Sequence, residues 1–199
     1  MSKGTPKPSA PPPPVQVTLV RHGQAAGEQR PGEVGAPLTK LGLRQAERVG
    51  KRLASEKFDH IYSSDMARAY ETAQAVVKHH SGTPYTVSKD IREITGFHFA
   101  PRASRKKDVI ERIDKERKAC ERFLRKLRKH KPGERILLVI HGNLIRLLIS
   151  TLSEVNPRKA VILETNNTGV FKVRLMLDGQ VSRVGLANCV KHLTPNQIS

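Results

Sequence analysis

The chain is poor in aromatic residues, cysteine, acid and long apolar runs, and each shortage excludes something. Of its 199 residues only 4% are aromatic, and none is Trp. Proteins that read single-stranded nucleic acid stack bases on aromatic side chains, so that class is disfavoured. No helix-turn-helix or zinc-finger pattern is visible either. Cys120 and Cys189 are too few for a disulfide framework or a cysteine-based zinc site. A reducing, cytoplasmic compartment is the expectation. The longest apolar run, Ile136 to Ile140, is far too short to span a bilayer, so no membrane partner is expected. No internal repeat of fixed period occurs.

Base, by contrast, is abundant. The chain holds 36 Lys+Arg against 18 Asp+Glu, a formal net charge of +18. The excess is uneven. Residues 102–135 hold 15 basic and 6 acidic residues, whereas residues 15–101 hold 12 and 9. Half the net charge therefore lies in 34 residues. Such a block either guides an anionic partner or forms a solvated helix face.

Residues 1–14 contain Pro6, Pro8 and the run Pro11 to Pro14. Proline lacks an amide donor and fixes φ, so a disordered, extended tail is expected there, with a proline-rich adaptor ligand as the alternative. The tail has no apolar core of the secretory type. Residues 15–199 are expected to form a single domain. Val15 to Val20 reads as a buried strand, followed by a helix that Thr39 caps, running to about Ser55. Phe58 to Tyr62 reads as a second strand, and Asp65 as the cap of a helix reaching His79. Tyr85 to Ser88 is a weaker strand. Residues 105–130 place Ile110, Ile113, Cys120, Leu124 and Leu127 on one stripe of a basic amphipathic helix. Ile136 to Ile140 is the clearest buried strand, and a helix from Leu144 to Leu152 follows. Val170 to Leu177 and Val181 to Val184 read as a hairpin around Asp178-Gly179. The alternation predicts an α/β three-layer sandwich, a mostly parallel central sheet flanked by helices.

Two of these strands end in His-Gly, at His22-Gly23 and His141-Gly142. In open α/β sheets ligands bind beyond the carboxyl ends of the strands, so the two histidines are predicted to meet there. The helix N-terminus after His141 is a natural anion site, and Arg21 adds a planar cationic fork suited to phosphate oxygens.

At this level of detail the chain resembles the histidine phosphatase (phosphoglycerate mutase-like) superfamily. Arg21-His22-Gly23-Gln24 is similar to its signature. Leu38-Thr39 with Gly42 and Gln45-Ala46, Tyr62 to Ala69 with Glu71-Thr72-Ala73, Ile91-Arg92-Glu93, His141-Gly142-Asn143 and Asn166 to Val170 resemble its later segments, in order. The resemblance implies that His22 is the nucleophile and forms a phosphohistidine. It implies that Arg21, Arg68 and His141 surround the transferring group, His141 being protonated or at least donating. Glu93 is implied as general acid and base, with Glu71 and Glu28 as alternatives by residue type. Gly23, Gln24, Ser64, Gly142 and Asn143 are implied as further substrate and phosphate contacts. Taken alone, Arg68 would read as a surface residue pairing with Glu71 or Asp65. The set requires no metal and no other cofactor, because cationic side chains take the metal's part. His79-His80 are neighbours on a helix and point to different faces, so no metal site is expected there. His98 is a candidate substrate contact.

The family includes phosphatases and mutases. Residues 94–140 make a short interval between Glu93 and His141, and Ala25-Ala26-Gly27 stand where mutases carry an Asn. Both departures favour hydrolysis over a phosphoglycerate mutase-type phosphotransferase. The Asn166-Asn167 segment is similar to the mitochondrial serine/threonine phosphatase branch, which carries Ser at the position of Gly23. The expected partner is a phosphorylated small molecule or a phosphoprotein, with secondary affinity for polyanions. The remaining alternative is a module that binds nucleic acid or protein. A homodimer is common in the family.

Overall fold

The computed structural model describes residues 11–29, 31–95, 107–177 and 180–199. Its centre is a six-stranded sheet of β1 (Val15–Arg21), β2 (His60–Ser64), β3 (Tyr85–Ser88), β4 (Arg135–Ile140), β5 (Val170–Leu175) and β6 (Arg183–Cys189), in the order β3-β2-β4-β1-β5-β6. The pairs β1–β4, β2–β4 and β2–β3 are parallel, while β5 runs antiparallel to both β1 and β6. The sheet is thus mixed, with only β5 reversed.

Four helices cover it: α1 (Lys40–Leu53), α2 (Ala67–Val77), α3 (Lys107–Leu127) and α4 (Gly142–Leu152). Strand alternation divides the core in two. Ile136, Leu138 and Ile140 of β4 face a cluster with Phe123, Leu124 and Leu127 of α3 and Leu144 and Leu148 of α4. Leu137 and Val139 face Val49 and Leu53 of α1 and Ala73 and Val76 of α2. A strand buried on both faces reads as an unbroken apolar run, which is why Ile136 to Ile140 carries no polar residue. The three-layer α/β prediction therefore holds.

Several local expectations shift. Thr39 caps α1 as predicted, its side chain accepting from the Gly42 amide. Asp65 does not cap α2. Met66 occupies the N-cap without a side-chain bond, and Asp65 instead makes a bidentate pair with Arg92, at 2.7 and 2.6 Å. A two-bond charge-assisted pair outcompetes a single cap bond. On α3, Ile110 shares the apolar phase but lies 46% exposed in the first turn, while Phe123 is buried in its place. Cys120 is buried, and burial pushes its thiol up to about 12. Phe58 precedes β2 yet is buried. The last strand runs later than predicted, to Cys189, and the Asp178-Gly179 turn lies outside the described residues, as do residues 1–10.

The loop after β1 sits directly on the start of α1. A Cβ on Gly23 would meet the Gly42 carbonyl oxygen at 2.6 Å, and one on Gly42 would meet the Gln24 carbonyl oxygen at 2.1 Å. Both contacts are with backbone, which has little room to yield. Gly42→Ala is therefore expected to cost about 1–3 kcal/mol through overpacking. Denaturant unfolding with an unchanged m-value is the check. Wild-type stability in the variant would show that the loop can move away freely.

Candidate active site

Parallel pairing of β1 with β4 sets Arg21 opposite Ile140. The His22 amide continues the ladder by donating to the Ile140 carbonyl at 2.9 Å. The next residues along the two strands, His22 and His141, thus emerge side by side, with ring centroids 5.1 Å apart. Both are buried.

The tautomer of His22 follows from its partners. Nδ1 lies 2.7 Å from the Gly23 carbonyl oxygen, which can only accept, so Nδ1 carries the proton. Nε2 therefore holds the lone pair, and Arg68 Nε donates to it at 3.0 Å. Burial above all lowers the ring's pKa to about 3. Arg68 and Arg21 push the same way, while the Gly23 carbonyl opposes them. His22 is therefore a neutral imidazole. Burial, then His22, Arg68 and Arg21, likewise hold His141 well below the usual range, and neither of its ring nitrogens has a protein partner among the described residues. His141 is thus an uncharged donor in the free protein. A nearby anion would favour its protonation.

Arg21 sends one terminal nitrogen to the Thr165 carbonyl and leaves Nε without a partner. Arg68 pairs with neither Glu71 nor Asp65 but reaches His22. It is anchored at its own carbonyl by Thr72 Oγ1, which also accepts from the Gly23 amide at 3.0 Å. Glu93 lies beside the start of α4. Its Oε1 accepts from the Ile94 amide at 3.1 Å and from the Leu144 amide in the first turn of α4 at 3.3 Å. Burial raises its pKa, and those amides and Arg68 only partly offset the rise. Of the alternative acids, Glu71 Oε2 is held by the Leu38 amide at 2.7 Å, and Glu28 is exposed.

The remaining predicted contacts have other partners. Ser64 Oγ accepts from the Met66 amide at 3.2 Å. Gln24 Oε1 accepts from Thr39 Oγ1 at 2.8 Å. Asn143 donates to the Ile94 carbonyl at 3.4 Å and accepts from Arg146 at 3.0 Å. Gly23 and Gly142 adjoin the two histidines. His98 lies outside the described residues. Among those residues no group of three or more His, Cys, Asp or Glu is placed to hold a metal ion. His80 packs edge-on against Phe58 instead.

Three positions carry no role in the sequence reading. Asn167 Nδ2 donates to the His22 carbonyl at 2.9 Å and ties down the loop that follows β1. Thr72 ties that loop to Arg68. Arg146, one turn along α4 from Asn143, acts electrostatically on Arg21 and donates to the Leu163 carbonyl at 2.9 Å. Its i,i+3 spacing from Asn143 was the available signal.

The basic helix α3 clamps the acid-bearing segment. Arg122 pairs with Asp90 at 2.7 Å, and Glu116 accepts from the Thr95 amide at 3.0 Å. Ile91 and Ile94 pack in the same core as Phe123 and Leu124. Arg112, Lys115 and Arg122 of the charged block line a groove together with Glu93.

Comparison with known proteins agrees with this architecture. A family model described as "Histidine phosphatase superfamily (branch 1)" matches residues 17–99 and 95–185. The chain is 30% identical over 203 residues to phosphoglycerate mutase-like protein 4 of Arabidopsis thaliana, covering 89% of this chain and 86% of that protein. It is 31% identical over 191 residues to the mitochondrial serine/threonine-protein phosphatase Pgam5 of Caenorhabditis briggsae, covering 92% of this chain and 66% of that protein. Among solved structures, an Entamoeba histolytica phosphoserine phosphatase in complex with 3-phosphoglyceric acid superposes with a TM-score of 0.72 at 22% identity, over 90% of this chain and 100% of that one. The α-ribazole phosphatase of Shigella flexneri superposes with a TM-score of 0.70 at 18% identity, over 88% and 96%. With a family match spanning most of its length and the paired histidines at the sheet edge, the chain belongs to branch 1 of the histidine phosphatase superfamily.

Proposed function

We propose that the protein is a phosphomonoester hydrolase acting through a phosphohistidine on His22, with a phosphoprotein or a highly charged small ester as substrate. The observation that carries this reading is the locked tautomer of His22, which aims an unprotonated Nε2 at the space between Arg68 and His141. The relatives named as phosphatases support it.

In the first step the Nε2 lone pair attacks phosphorus in line, and the P–N bond forms as the P–O bond to the leaving alcohol breaks. That lone pair cannot both accept the Arg68 N–H and attack, so the guanidinium swings its donor onto a phosphate oxygen. Arg21, Arg68 and the His141 N–H then face the equatorial oxygens and offset charge as it develops. Glu93, whose pKa burial raises, gives its proton to the leaving oxygen. In the second step the Glu93 carboxylate takes a proton from water, the water oxygen attacks phosphorus, the P–N bond breaks, and inorganic phosphate leaves with His22 restored. The cationic side chains supply the charge stabilisation, so a divalent ion is not needed for it. A mutase must shield its intermediate from water while it reorients. The groove that opens beside Glu93 favours hydrolysis instead.

Hydrolysis of p-nitrophenyl phosphate at mildly acidic pH with EDTA present is expected, and His22→Ala should reduce it by roughly 10⁴-fold or more. Undiminished turnover in that variant would overturn the nucleophile assignment. Glu93→Gln should slow an alkyl phosphate by about 10²–10⁴-fold and p-nitrophenyl phosphate much less, because nitrophenolate leaves without a proton. Equal losses for the two substrates would point to another acid.

The neutrality of His22 also sets a pH dependence of stability. A folded-state pKa near 3 against the ordinary 6.5 means that the unfolded chain binds the extra proton. Stability contributed by the neutral ring is complete above pH 6.5 and is lost as pH falls towards 3, by about 1.4 kcal/mol per pH unit. His22→Gln should show a correspondingly shallower loss between pH 6.5 and 4 in denaturant unfolding. Parallel slopes for the two proteins would contradict a buried neutral histidine.

A further inference from the structure

A groove of about 390 Å³, with Glu93 in its lining, lies between the segment Lys89–Ile94 and one face of α3. Lys89, Arg92, Arg112, Lys115 and Arg122 line it, with Asp90, Glu93 and Glu116 as its acids. The acids are spoken for. Asp90 is paired by Arg122, and Glu116 by Arg112 at 3.0 Å. Glu93 accepts backbone amides. Lys89 and Lys115 are exposed and have no ion pair among the described residues. Ile94 and Ala119 give the groove an apolar floor. A second depression of about 360 Å³, lined by Glu111, Asp114, Lys115, Lys118 and Arg122, lies beside the first over the same stretch of α3 and shares Lys115 and Arg122 with it.

We propose that this groove is a docking site for an acidic phosphopeptide, binding the chain that flanks the phosphorylated residue. The inference rests on the phosphatase reading for its direction. Glu93 protonates the leaving oxygen, so the alcohol side of the substrate lies towards Glu93, which is part of the groove's lining. Its length selects a peptide over a compact metabolite. Arg112 and Arg122 lie ten residues apart on one helix face, about 15 Å at 1.5 Å per residue. An extended chain covers that span with four or five residues at about 3.3 Å each. The apolar floor suits side-chain methylenes, and the two unpaired lysines suit carboxylates. A nucleic acid would want stacking aromatics, and among the described residues no aromatic lines either depression.

The test uses the full chain and two phosphoserine peptides of equal length, one flanked by Asp and Glu, the other by Gly and Ala. The acidic peptide should have the higher kcat/KM, mainly through KM. The double variant Lys89→Ala/Lys115→Ala should lower that advantage roughly five- to tenfold, the scale of two exposed ion pairs. Hydrolysis of p-nitrophenyl phosphate should stay unchanged. Binding of the acidic peptide to the non-turning-over His22→Ala protein, followed by fluorescence anisotropy, should weaken by the same factor when the two lysines are removed. Equal rates for the two peptides, or an advantage that survives the double variant, would overturn the docking site. So would an equal loss for a compact polyphosphorylated ester. Absence of aryl phosphatase activity in the wild type would instead refute the catalytic reading, and the anisotropy measurement would still decide the groove.

Discussion

The parallel pairing of β1 with β4 is the constraint on which the rest depends. It is a backbone interaction, extended past the strand ends by the bond from the His22 amide to the Ile140 carbonyl. Because both strands run the same way, the residues following them emerge at the same edge. Two imidazoles far apart in sequence are thereby held 5.1 Å apart between centroids. The flanking layers serve this pairing. The clusters on the two faces bury alternate residues of β4 and fix its register, since a one-residue slip would reverse every side chain.

Around that edge the electrostatics follow one logic. Two guanidinium groups stand beside two histidines in a buried space, and burial above all, helped by those cations, holds both rings below their ordinary pKa. The arrangement is poor for binding protons and good for receiving a dianion. An incoming phosphate offsets the cations and gives the partnerless nitrogens of His141 and Arg21 something to bond. Glu93, whose pKa burial raises, is the complementary group that the proposed mechanism needs to donate a proton. The basic helix contributes twice. Its apolar stripe completes the core, and its Arg122 and Glu116 fix the segment that carries Glu93.

Much of this was legible from sequence because it obeys short-range rules. Doubly buried strands read as apolar runs, and His-Gly after such a run marks the active edge. The positions of His22 and His141 needed no more than that, while Arg68 and Glu93 needed the family resemblance as well. What stayed hidden depends on partners distant in the chain. Asp65 has the look of a helix cap, but Arg92, 27 residues later, takes it. Ile110 has the right phase to be buried, yet phase specifies a face and not where along the helix its cover ends. Asn167 and Thr72 act through bonds to backbone that no local pattern announces, and Arg146 offers only its i,i+3 spacing from Asn143. Ser64, Gln24 and Asn143 each have a protein partner in the free chain, which local sequence does not show.

The central claim is that the neutral Nε2 of His22 takes the phosphoryl group. Rapid mixing with a reactive aryl phosphate, an alkaline quench that preserves phosphoramidates, and peptide mapping by mass spectrometry test it most directly. The account predicts one phosphoryl group on His22, formed faster than phosphate is released and absent when His22 is replaced. A phosphoryl group on any other residue, or none during steady turnover, would contradict it.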